Sequence, residues 1–166
     1  MKKVIIVGAT SGIGREMARL YADAGWLVGA TGRRQELLYS LRLEYPNTII
    51  TECFDVTGPG ATAHLESLTR KLGGLDLLVY SAGWGEIIEG LDWAIDKGTV
   101  DVNVNGFLET IHYGWKLFTD QGHGNHLMNF PEPCAKFRLR LMDSNANSNG
   151  CSCIKMQTAT QQGRIP

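Results

Sequence analysis

Gly8, Gly12 and Gly14, with Thr10, Ser11 and Ile13 at the positions between them, are the residues of this chain best placed to do chemistry. They follow the apolar run Val4-Ile5-Ile6-Val7. A pyrophosphate is held by backbone N–H groups at close range and by the positive end of a helix dipole. Gly8 can turn the chain out of a strand, Gly12 lets a phosphate approach because it has no Cβ, and Gly14 lets the following helix pack closely on the strand. Glycines alone are weak evidence. Here the turn follows a strand-like run and opens a stretch of helical period, which is the context that pyrophosphate binding requires.

A second group, Arg33 and Arg34, follows the second apolar run, with no acid until Glu36. A dinucleotide with free adenosine-ribose hydroxyls needs a carboxylate at the end of the second strand, whereas a 2'-phosphate needs positive charge there. Two cations opening a helix work against its macrodipole, a cost that a bound phosphate reverses. The expected cofactor is therefore NADP, ahead of NAD.

The elements that must position these groups follow from periodicity. Apolar runs of strand length at Val4 to Val7, Leu27 to Ala30, Thr48 to Ile50 and Leu77 to Tyr80 alternate with helical stretches. Ile13, Met17, Leu20, Tyr21 and Ala24 form one face of the first helix, and Ala61, Leu65, Leu68 and Leu72 repeat the pattern. A longer stripe runs through Val100, Val104, Phe107, Leu108, Ile111 and Trp115. Apolar strands separated by helices are buried on both faces, so a doubly wound α/β unit with a parallel sheet and right-handed crossovers is expected.

The chain has 166 residues, 43% of them hydrophobic, enough for one domain with a core. Sixteen basic against 17 acidic side chains leave a net charge of -1, which gives no electrostatic case for nucleic acid or an anionic membrane. The apolar run after Met1-Lys2-Lys3 stops at Gly8, too short for a leader or a spanning helix, and a cytoplasmic location with reduced cysteines is the expectation.

Composition changes near Asn125. The last 42 residues hold no Val, Trp or Tyr, but five asparagines, three of the four cysteines, and five bases against two acids. The expected organisation is thus a nucleotide-binding domain over 1–124 and a poorly packed tail over 125–166. The sheet would stop after its fourth strand, with His126 to Phe130 the one candidate for a fifth. Arg138 and Arg140 alternate with apolar residues in a possible short strand, and Asn145 to Gly150 reads as turn. His123, His126, Cys134, Cys151 and Cys153 lack metal-ligand spacing, and no metal site is expected.

The Gly-x-x-x-Gly-x-Gly spacing, Thr31-Gly32-Arg33-Arg34, Asp55-Val56, Ser81-Ala82-Gly83 and Asp101-Val102-Asn103-Val104 together resemble the short-chain dehydrogenase/reductase family, over about three quarters of the chain. The resemblance implies a Rossmann-like fold and hydride transfer between a nicotinamide cofactor and a carbonyl or alcohol carbon. It implies that Asp55, beside Val56, contacts the adenine amino group. It places Ser81, Ala82 and Gly83 along the ribose and nicotinamide side and has Asn103 support a proton-relay water. Tyr80-Ser81 stands where the family usually has two asparagines. The family's Tyr-x-x-x-Lys acid is not found in this sequence, since Tyr113-Gly-Trp-Lys116 is one residue short and is read as ordinary helix. Asn103 is the one member of the catalytic set that can be placed. Two expectations follow. One is an NADP-dependent oxidoreductase that is incomplete or inactive in this form. The other is a non-catalytic NADP-binding or oligomer-interaction module, pairing through the helix at 99–118 with a complete relative or with its own copy.

Overall fold

The computed structural model describes residues 1–86, 89–129 and 153–157. Strands β1 (Lys3–Val7), β2 (Leu27–Gly32), β3 (Ile49–Cys53) and β4 (Leu77–Tyr80) form at the four apolar runs. All are parallel, β1 lying between β2 and β4 with β3 outside β2. The crossovers carry α1 (Gly12–Asp23), α2 (Gln35–Glu44) and α3 (Ala61–Leu72). Alternate residues of β1 enter opposite core layers. Val4 and Ile6 pack with Ala18, Leu38 and Leu41 from α1 and α2, while Ile5 and Val7 pack with Leu65, Leu68 and Leu78. Burial on both faces is why β1, β2 and β4 carry almost no polar residues, while β3, at the sheet edge, ends in Thr51, Glu52 and Cys53; the result is a doubly wound, Rossmann-like sheet.

The sheet does not stop at the fourth strand. Its order is β3-β2-β1-β4-β5-β6, with β5 (Asn125–Asn129) parallel to β4 and β6 (Cys153–Gln157) antiparallel to β5. The expected break at 124/125 therefore falls at the start of a strand that belongs to the sheet. His126 explains how a polar-looking segment joins it. Its ring is fully buried, edge-on to Phe118 at 4.8 Å, and a Cβ on Gly114 would lie 2.4 Å from its Cε1. The rest of the expected tail, Arg138, Arg140 and Asn145 to Gly150 included, lies outside the described residues.

Two helical faces also differ from expectation. On α1 the core side is Gly14, Ala18 and Ala22, while Ile13 and Leu20 are 56% and 67% exposed. The long helix is α4 (Trp93–Val100), a π-turn (Asp101–Gly106) and α5 (Phe107–Gln121). Val102, Gly106, Phe107, Thr110, Gly114 and Phe118 face the protein, and Val100, Val104, Leu108 and Trp115 face solvent. A π-turn holds more residues per turn than an α-helix, so Val100, Val104 and Leu108, four apart through it, stay on one outer face while Phe107 falls on the inner one. No described helix is long and apolar enough to cross a membrane.

Candidate cofactor-binding site

The carboxyl ends of β1, β2 and β4 converge on one cleft. Gly8 leaves β1 with φ of +93°, and its N–H and that of Ala9 donate to the Thr31 carbonyl of β2 at 3.1 and 2.7 Å. From β4, the Ser81 N–H donates to the Val7 carbonyl at 2.8 Å. The packing leaves no room for side chains at two of the glycines: a Cβ on Gly8 would meet the Ala82 nitrogen at 2.5 Å, and one on Gly14 would meet the Gly8 carbonyl oxygen at 2.2 Å. Gly12, at φ +57°, instead has no described atom within 4 Å of where a Cβ would stand. Two glycines thus bring backbones together, and the third keeps an approach open. Ser11 caps α1 without a side-chain bond to the helix, leaving the first-turn N–H groups to serve an incoming anion. These features fit a pyrophosphate.

Beside this turn, Arg34 is the N-cap of α2. Its Nη2 donates to Thr10 Oγ1 at 2.8 Å and to Ser11 Oγ at 2.6 Å, and its Nε to Thr10 Oγ1 at 3.2 Å. The guanidinium is therefore drawn toward the glycine turn. Arg33 Nη1 reaches Asp55 Oδ2 at 3.5 Å. Partial burial pushes the Asp55 carboxyl up, but bonds from the Thr57 N–H and hydroxyl, both 2.9 Å, and the charge of Arg33 outweigh it and hold Asp55 below the usual carboxylate range. Asp55 is thus an acceptor at neutral pH.

The cleft, about 360 Å³, is lined by Gly8, Thr10, Ser11, Arg33, Arg34, Asp55, Val56, Ser81, Ala82 and Gly83, all expected from the sequence. Gly12, Ile13, Gly14 and Asn103 do not line it: Gly14 lies beneath the turn, and Ile13 points outward. Gly32, Phe54, Trp84 and Val102 are lining residues outside the site expected from the sequence. Trp84 could have been found, since it directly follows Gly83, but Val102 is turned inward by the π-turn.

Asn103 works on the loop after β4. Its Nδ2 donates to the Trp84 carbonyl at 2.7 Å and its Oδ1 accepts from the Trp84 N–H at 3.0 Å. The Tyr80 hydroxyl donates to the Val102 carbonyl at 2.6 Å. Burial, reinforced by the charge of Asp55, holds the Tyr80 phenol well above its usual range, so it stays a neutral donor. Tyr113 shares a 2.7 Å hydrogen bond with Thr69 of α3 and does not line the cleft, consistent with an ordinary helical position.

Fold and site together define a dinucleotide-binding protein of the Rossmann class. The family model for short chain dehydrogenase matches residues 2–127, and the chain belongs to that family. Serine 3-dehydrogenase of Agrobacterium fabrum is 34% identical over 117 residues, covering 66% of this chain and 46% of that protein. A crystal structure of a short chain dehydrogenase from Bacillus anthracis is 30% identical with a TM-score of 0.71, covering 76% of this chain and 54% of that one. The closed form of serine dehydrogenase complexed with NADP+ is 26% identical with a TM-score of 0.67, covering 74% and 51%. The chain spans about half the length of the curated relatives it matches. Members of the family bind NAD(P).

Proposed function

We propose that this chain binds NADP(H) in preference to NAD(H) in the cleft at the ends of β1, β2 and β4. The observation that carries this reading is the Arg34 guanidinium held against Thr10 and Ser11, with Arg33 beside it and no carboxylate ending β2. Arg34 and Arg33 would hold a 2'-phosphate, Asp55 the adenine amino group, and the Ser81 to Gly83 backbone the ribose and nicotinamide side. The first turn of α1 would take the pyrophosphate. Bound there, the cofactor supplies hydride exchange with a carbonyl or alcohol carbon. Calorimetric titration is the direct test: NADPH should bind at least roughly tenfold tighter than NADH, the effect of one charge-assisted phosphate contact. Equal affinities would overturn the preference.

The 166-residue chain carries no Tyr-x-x-x-Lys pair to donate a proton. Asn103, in the π-turn, has both amide atoms bonded to the Trp84 backbone of the loop that borders the cleft, and it is not an acid. Proton donation by a positioned group contributes roughly 100- to 10,000-fold to such reactions. The purified chain is therefore expected to bind NADPH yet show no carbonyl reduction above background when NADPH absorbance is followed with a panel of aldehydes and ketones. Turnover abolished by Asn103→Ala would show a proton donor elsewhere. A second reading, a non-catalytic NADP-binding module that pairs with its own kind, is favoured by the apolar residues that α4 and α5 turn to solvent.

A further inference from the structure

The π-turn Asp101–Gly106 meets the cleft from two sides. Val102 lines it, Asn103 clasps the Trp84 backbone in both directions, and Gly106 lies so close to Val56 that a Cβ there would be 2.9 Å from Val56 Cγ2. Val56 follows β3 and Trp84 follows β4, so one turn braces two walls of the cleft. A π-turn is a rare way to close a helical ring, and its surroundings must hold it in place.

Tyr80 makes contact at both ends of this turn. Its hydroxyl donates to the Val102 carbonyl, one residue before Asn103, and its ring sits edge-on to Phe107, the first residue after the turn, at 5.5 Å and 76°. The side chain is 3% exposed, and Tyr80 is the last residue of β4, directly before the cleft residue Ser81. This is the position where the family pattern has asparagine.

We propose that Tyr80 is a positioning residue for the cofactor loop, its hydroxyl holding the π-turn in the register that brings the Asn103 amide onto the Trp84 backbone. The inference rests on the dinucleotide reading above for its effect on binding, though not for its effect on the loop. It applies to the half of the dinucleotide that meets Ser81 to Trp84, and not to the half that meets Arg33, Arg34 and Asp55.

Tyr80→Phe keeps the ring and removes the hydroxyl. In the nucleotide-free protein, hydrogen exchange at the Trp84 amide should accelerate roughly tenfold while the amides of Ile5 and Ile6 in β1 stay unchanged. NADPH affinity should fall several-fold with adenosine 2',5'-bisphosphate affinity unaltered, and in an Asn103→Ala background the Tyr80→Phe change should have no further effect on either readout. Unchanged exchange at Trp84, acceleration spread equally over β1, or an undiminished effect without Asn103 would each overturn the proposal. If the wild-type chain binds neither nucleotide, the cofactor reading falls, and exchange at Trp84 still decides the role of Tyr80.

Discussion

Arg33 and Arg34 are adjacent in sequence but differ in what already engages them. Arg34 is oriented by two hydroxyls of the glycine turn, whereas Arg33 is 58% exposed and partly neutralised by Asp55. A preorganised donor loses less freedom when it meets a phosphate. Arg34→Ala should therefore weaken NADPH binding by about 1.5 to 3 kcal/mol, and Arg33→Ala by less, with NADH little affected by either. Calorimetry on the two single variants checks the order, and a larger loss at Arg33 would contradict it. His126 carries a prediction of a different kind. Burial lowers its pKa from the ordinary 6.5 to about 4, and neither ring nitrogen has a hydrogen-bond partner among the described residues. As pH falls below 6.5 the unfolded chain takes up this proton before the folded one does. The His126 contribution is thus constant above pH 6.5 and costs stability progressively down to pH 4, by up to about 3 kcal/mol in all. His126→Leu should flatten that part of the profile. Denaturant melts at pH 7, 5.5 and 4.5 that keep the same slope in the variant would place the titration elsewhere.

At the scale of the element, the glycine turn was legible because each of its residues answers to a steric demand that sequence spacing records. Substitutions should separate those demands. Gly14→Ala would drive a Cβ to 2.2 Å from the Gly8 carbonyl oxygen, so it should lower stability even without nucleotide, by the 1 to 3 kcal/mol that is roughly typical of overpacking. Gly12→Ala meets no described atom within 4 Å and should cost only about 1 to 2 kcal/mol of left-handed strain while blocking phosphate approach. Thermal melts and NADPH titration on both variants test this: an unstable Gly12→Ala protein, or one that binds nucleotide normally, would show that the open space is not the phosphate approach. The helix faces were less legible. Hydrophobic period assigns Ile13 and Leu20 to the core of α1, but Gly14, Ala18 and Ala22 are there because close approach to the sheet favours small residues over apolar ones. On the long helix the same preference buries Gly106, Thr110 and Gly114, and the π-turn adds a change of register that no residue type announces.

For the whole molecule, the first four strands could be read because each contains an apolar run that the sheet buries, while their order is a property of the folded sheet that no single run records. β5 was obscured because its one described buried side chain is a histidine, and β6 because nothing local marks Cys153–Gln157 as the partner of residues some thirty positions earlier. The surface poses the remaining question. Val100, Val104 and Leu108, at intervals of four, with Trp115 beyond them, leave α4 and α5 apolar on their outer side, at 38% to 50% exposure. Under the homo-oligomer reading, a two-fold axis would pack each stripe against its own copy. Four side chains cover far less than the ~800 Å² per partner of a stable interface, so association should be weak and reversible, on the order of micromolar or weaker. Sedimentation velocity over a wide concentration range should show the wild-type chain shifting toward a dimer. The double variant Leu108→Glu, Trp115→Glu should stay monomeric and bind NADPH as before, since neither residue lines the cleft. A dimer that survives both glutamates would place the contact elsewhere, and a wild-type chain monomeric at every concentration would end the homo-oligomer reading.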